Sequence, residues 1–178
     1  AVADAEGKRE EALALLEKAV ALVTPLDFGR CVPLRDFVLE LHRLRLALLR
    51  AQSDVRVMLA AHGEQVDLLV DLCARDSDPS LRVQLLHALD SSAKQFEATG
   101  YVREALTQRE AHLELLCGAF GEHNPPVAAA RAQLAALLIT MDRSAEASEQ
   151  LRLSRRIRRD FDDIPRSTGR APSAHRRA

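Results

Sequence analysis

Small side chains recur in this sequence at a fixed offset. Ala47, Ala93 and Ala135 stand twelve residues before Leu59, Ala105 and Ala147, and the second series, traced back to Ala12, advances in steps of 47, 46 and 42. The surroundings repeat too. Leu46-Ala47-x-Leu49 returns as Leu134-Ala135-x-Leu137, and Gly100-Tyr101 ahead of Glu104-Ala105 returns as Asp142-Arg143 ahead of Glu146-Ala147. A period of this length holds two helices and two turns, a hairpin whose apolar face only a neighbouring hairpin can cover. The expectation is an all-α, right-handed superhelical array of antiparallel helix hairpins, about seven helices in all. Ala47, Ala93 and Ala135 are expected at corresponding helix crossings, where a small side chain lets two backbones approach.

The elements follow from apolar spacing and breakers. A first amphipathic helix runs from Gly7, with Ala12, Leu15, Leu16, Ala19 and Leu22 on its inner face, and stops before Pro25. The second, from Pro33 to Ala51, is apolar nearly all round: Leu41, Leu44 and Leu48 share one face, which predicts a buried contact. The third spans Val55 to Leu72, with Val57, Leu59, Val66, Leu69, Val70 and Leu72 predicted inward. Asp78 and Pro79 are the N-cap and first residue of a fourth helix, which Gly100 ends. A fifth runs from about Val102 to Cys117. The sixth spans Pro126 to Met141 and the seventh Ser144 to about Phe161. Residues 1–162 are thus expected to form one helical repeat domain, and 163–178, which carry four arginines and no periodic apolar residues, a disordered basic tail.

Composition narrows the function classes. The formal net charge is −1, so no whole-molecule field draws the chain to nucleic acid or anionic lipid. Arg155-Arg156-x-Arg158-Arg159 is a local basic run, but five Phe and one Tyr in the whole chain give bases little to stack on, so nucleic-acid binding is disfavoured. No stretch is long and apolar enough for a membrane span. Cys31, Cys73 and Cys117 are three, far apart, and form no Cys-x-x-Cys pair, which points to reduced thiols and a cytoplasmic compartment. The histidines form no metal-ligand spacing, and no Gly-rich phosphate loop, nucleophile elbow or Cys/His pairing is present. No cofactor, no metal and no catalysis are expected.

Phe120-Gly121, Pro125, Val127-Ala128, Leu134-Ala135-x-Leu137, Asp142 and Glu146-Ala147 together resemble the long tetratricopeptide repeats of kinesin light chains and related scaffolds. Glu11-Ala12-Leu13 through Leu22 resembles the second helix of such a repeat, and a similar pattern occurs in the C-terminal helical domain of SET–MYND lysine methyltransferases. The resemblance implies a scaffold whose first helices line a concave groove for a peptide. In the kinesin-type repeats an Asn pair faces that groove; here those positions hold Leu44-Arg45, Asp90-Ser91 and Ala132-Gln133, so the scaffold carries over and the family's mode of holding a peptide does not.

First-helix geometry nominates Arg45, Gln52, His87, Asp90, Ser91, Lys94 and Gln133 as groove residues, a mixed polar set suited to side-chain hydrogen bonds and charge-assisted pairs with a protein or peptide partner. The functional expectation is a non-catalytic protein-interaction module or scaffold. Two others stand beside it: an accessory domain of a larger enzyme of the SET–MYND type, and a structural subunit of a large assembly.

Overall fold

A computed structural model describes residues 2–23, 31–50 and 54–162, and for 2–5 the backbone only. Among the described residues the regular structure is entirely α-helical: α1 Val2–Val23, α2 Val32–Leu49, α3 Val55–Arg75, α4 Pro79–Ala98, α5 Val102–Phe120, α6 Pro125–Thr140 and α7 Ser144–Asp162. The expected tail 163–178 and Gln52 lie outside the described residues. The chain divides into two compact units, Ala1–Leu116 and Cys117–Ala178.

The helix ends are set by the residues that the sequence offers for the purpose. Asp54 caps α3 by accepting from the amides of Arg56 and Val57 at 3.0 and 3.3 Å. Asp78 caps α4 by accepting from Ser80 at 2.9 Å, with Pro79 next, where a missing amide costs nothing. Gly100 takes φ +80°, the Tyr101 amide reaches back to the Phe96 carbonyl at 2.9 Å and the Gly100 amide to that of Glu97 at 3.2 Å, a Schellman closure. The same closure recurs at the end of α6. Asp142 sits at φ 57°, Arg143 donates to Leu138 at 3.0 Å and Asp142 to Ile139 at 3.1 Å. The repeat seen in the text is therefore a repeat of backbone geometry. Two helices outrun their expected ends: α3 continues past Leu72 to Arg75, and α5 passes through Gly118 to Phe120, where Gly121, at φ +78°, stops it.

In the first unit α1 packs on α2, α2 on α3 and α3 on α4. An apolar core cluster draws on three helices, with Leu69, Leu72, Leu81, Leu85 and Leu89 meeting Val38 and Leu39. Arg35 is buried at the start of α2, with its fork satisfied by Asp76 at 2.7 Å and Asp78 at 2.8 Å. The two carboxylates pin α2 to the α3–α4 connection. Asp78 is thereby both helix cap and ion-pair partner, and its pKa is held below the ordinary range, first by the Ser80 amide and then by Arg35. In the second unit α6 packs closely on α7. Val127, Ala128, Leu134, Ala135 and Leu138 are buried, as are Ala147, Ser154 and Ile157.

Three inward assignments change. In α1 the buried residues are Leu13 and Val20, while Leu15 and Leu22 face solvent. In α3 the inner face holds Met58, Ala61 and His62 rather than Val57 and Val70, because the stripe that meets α2 and α4 is rotated by about one residue from the valines. In α2, Leu41 is buried but Leu44 is exposed, so the face predicted to be covered is only partly covered. The small-residue marker also splits. Ala93 and Ala135 are 0% exposed, as crossings require, but Ala47 is exposed and its neighbour Leu46 turns inward instead.

Candidate binding groove

Ala47 is exposed because it lines a depression of about 300 Å³ framed by α2, α3 and α4. On α2 the lining residues Arg43, Ala47 and Arg50 fall at i, i+4 and i+7, one stripe of the helix. On α4, Gln84, His87 and Ser91 form the facing stripe, while α3 supplies Gln65. Leu46, Leu69 and Ala88 give the depression an apolar component. Among the described residues no carboxylate lines it.

Each cation is held differently. The Arg43 fork is closed on Glu40 at 2.7 and 2.6 Å, an exposed pair in which the arginine's hydrogen bonds draw the Glu40 pKa below its ordinary value. Arg50 instead donates to the Ser91 hydroxyl at 2.7 Å, so a full positive charge is positioned by a neutral group. Its field also reaches His62. That imidazole is completely buried, neither ring nitrogen has a hydrogen-bond partner, and burial first, then the charge of Arg50, push its pKa down to about 4.

Of the residues nominated from the sequence, His87 and Ser91 lie on the groove. Arg45 does not line it: its guanidinium pairs with Glu64 of α3 and stands 3.9 Å from Glu17 of α1, tying three helices together. Asp90 is engaged by Lys94 at 2.7 Å and by the buried Arg109 of α5 at 2.6 Å, with Glu97 holding the other side of Arg109 at 2.8 Å. Burial works against both charges, and the mutual hydrogen bonds outweigh it, lowering the Asp90 pKa and raising that of Arg109. Lys94 is exposed beside Asp90, and Gln133 is exposed on α6 in the second unit. Sequence reasoning missed Arg43, Arg50, Gln65 and Gln84. The spacing of Arg43, Ala47 and Arg50 was the available signal, hidden by reading Ala47 as a helix crossing.

Among the described residues no group of three His, Cys, Asp or Glu side chains is placed to hold a metal ion, and no helix is long and apolar enough to cross a membrane. Burial raises the Cys73 pKa, the opposite of what a reactive thiolate needs.

No protein-family model and no curated protein matches the chain. Solved structures do. BtubC (BKLC) from P. vanneervenii is 18% identical, with a TM-score of 0.56 over 86% of this chain and 58% of that one, so the chain spans under two thirds of the BtubC structure. Nearly identical TPR-like repeats of a Podosopora anserina kinesin light chain are 20% identical over 89% of this chain and 90% of that one, with a TM-score of 0.42. At 18% identity the likeness to BtubC is one of fold. The chain has a tetratricopeptide-like helical repeat fold.

Proposed function

We propose that the chain is a non-catalytic protein-interaction module that takes a segment of a partner polypeptide into the α2–α4 groove. The observation that carries this reading is the groove's lining: an apolar component for side chains, amides and a hydroxyl for peptide groups, two arginines, and no carboxylate among the described residues. Arg50 is the anchor. A guanidinium held by a serine hydroxyl exchanges that bond for a partner's carboxylate or carbonyl at a gain, since charge-assisted bonds are about twice as strong as neutral ones. The contribution of His87 and Gln84 is then orientation along the groove, and the open Ala47 leaves room for a bulky partner residue.

The test is selection of a displayed random-peptide library on the full chain, followed by fluorescence anisotropy of the enriched peptides. Ala47→Trp, which fills the groove, and Arg50→Gln, which removes the anchor charge, are each expected to weaken binding by about tenfold. Helical circular dichroism should stay unchanged, because both side chains are exposed. Enriched peptides that bind both variants as well as the parent would remove the groove from consideration.

A further inference from the structure

We propose that one face of α7 is a second docking surface, for an acidic, extended polypeptide segment carrying carboxylates at alternate positions. Arg152, Arg155, Arg156 and Arg159, with Ser148 and Asp160, line a shallow depression of about 420 Å³. The four arginines stand at i, i+3, i+4 and i+7 and so form a single stripe roughly 10 Å long. Arg152 is forked on Glu149 at 2.7 Å through both nitrogens, and Arg156 stands 4.0 Å from Asp160. Both pairs are solvent-exposed, which makes them weak and exchangeable. Arg155 and Arg159 are exposed and form no ion pair with the described residues. The stripe opens a strongly biased segment. Residues 152–178 hold nine arginines, three aspartates and no lysine, while the chain as a whole carries a net −1, so the remaining residues are net acidic.

The chemistry selects the occupant. Planar guanidinium forks recognise carboxylates bidentately, as Arg152 already does with Glu149 and Arg143 with Glu146 at 2.7 and 2.6 Å. Successive arginines four apart rise about 6 Å along the helix, close to the ~6.8 Å between same-side residues of an extended strand. Carboxylates at alternate positions of an extended segment therefore meet the stripe in register. A nucleic acid fits less well. The exposed aromatic of this helix, Phe161, lies about 200° around from Arg159 and cannot stack on a base bound there. A bilayer fits no better, because the apolar side of α7, with Ala147 and Ile157, is already buried within the unit.

The experiment uses the full chain and three labelled probes: a peptide alternating glutamate with serine, its glutamine counterpart, and single-stranded oligothymidylate of the same net charge as the first. Saturable binding of the glutamate peptide is expected, falling with added salt, lost with glutamine, and tighter than that of the oligonucleotide. Arg155→Glu with Arg159→Glu should weaken it by about tenfold, since two weak pairs become two repulsions. Arg56→Glu with Arg103→Glu, the same change of net charge at exposed positions away from α7, should leave it unchanged, which separates the stripe from the charge of the whole chain. Equal binding by the α7 double variant, or tighter binding of the oligonucleotide, would overturn the proposal. Self-association at low salt that vanishes in the double variant, without capture of the peptide, would make the occupant a second copy of the chain.

Discussion

The hairpin of α4 and α5 and the hairpin of α6 and α7 are joined by the same turn and tied by opposite chemistry. A step of 42 residues carries Gly100 onto Asp142 and Tyr101 onto Arg143, and the backbone hydrogen bonds donated by Gly100, Tyr101 and Ala105 recur at Asp142, Arg143 and Ala147. The same step carries Asp90, Glu97 and Arg109 onto Ala132, Ile139 and Leu151. Where the first hairpin holds its helices with a buried guanidinium between two carboxylates, the second has the half-buried Ala132 and Leu151 and the exposed Ile139, and its polar ties are neutral on at least one side: Ser154 donates to the Ala128 carbonyl at 2.7 Å and Arg131 to Gln150 at 2.8 Å. Turn geometry and buried small residues therefore define the hairpin, and what fills the space between helices is open to substitution. The cost of that freedom falls on the first unit, which carries buried charge and buried imidazoles that must stay satisfied or neutral.

The strongest way to break this comparison is to transplant one interior into the other. Arg109→Leu alone should destabilise the first unit by about 2–3 kcal/mol, less than for a wholly buried pair because Asp90 and Glu97 are partly solvated. Adding Asp90→Ala and Glu97→Ile, the residues found one step later, should recover most of that loss, as apolar replacement of a buried ion cluster is often neutral or better. Hydrogen exchange of α4 and α5 amides is the measurement. A triple variant no more stable than Arg109→Leu would mean that the ionic triad is required and that the two interiors are not interchangeable.

Acid sharpens the contrast. His62 is neutral in the folded state with a pKa near 4, below its ordinary 6.5, so the unfolded chain binds the proton more tightly. Its contribution is complete above the ordinary value and is lost as pH falls through the folded one, about 2 kcal/mol by pH 5. His42 and His112 are shifted in the same direction, both chiefly by burial. In the second unit Ser154 is the buried polar residue among those described, and it does not titrate in this range. Hydrogen exchange in α2–α4 should thus accelerate between pH 7 and about pH 5 relative to α6–α7, and His62→Leu should flatten the response. A uniform response of both units would remove His62 as its source.

Much of this was legible in the text, for reasons that particular residues make plain. Asp54, Asp78-Pro79 and Gly100 act within a turn of their own position, so α3 and α4 begin, and α4 ends, within one residue of the reading. What required coordinates was direction around a helix. A small residue at the right interval says that something comes close, but Ala47 lies beside an open groove and Ala93 inside a contact, and the interval is the same. His62 was invisible for a related reason: the valines on either side suggested an inner face that the packing of α2 and α4 rotates away from. The partners of the charged groove candidates were hidden by their distance in sequence, since Arg109 is nineteen residues from Asp90 and Arg45 nineteen from Glu64.

The turn offers the smallest and cleanest comparison, because only one atom group differs. Gly100 and Asp142 occupy the same left-handed position, and nothing lies within 4 Å of where a Cβ on Gly100 would fall. Space is therefore not the issue at Gly100; the backbone is. Gly100→Ala should cost about 1 kcal/mol through the strained φ alone. At Asp142 the strain is already present, softened because a short polar side chain tolerates this region better than most. Asp142→Gly should then gain about 0.5 kcal/mol, the difference between relief of the strain and the greater freedom of glycine in the unfolded chain. Opposite signs from matched substitutions in thermal unfolding would establish that the two turns are one device in two sequences, whereas a loss at both would mean that the Asp142 side chain makes a compensating contribution of its own.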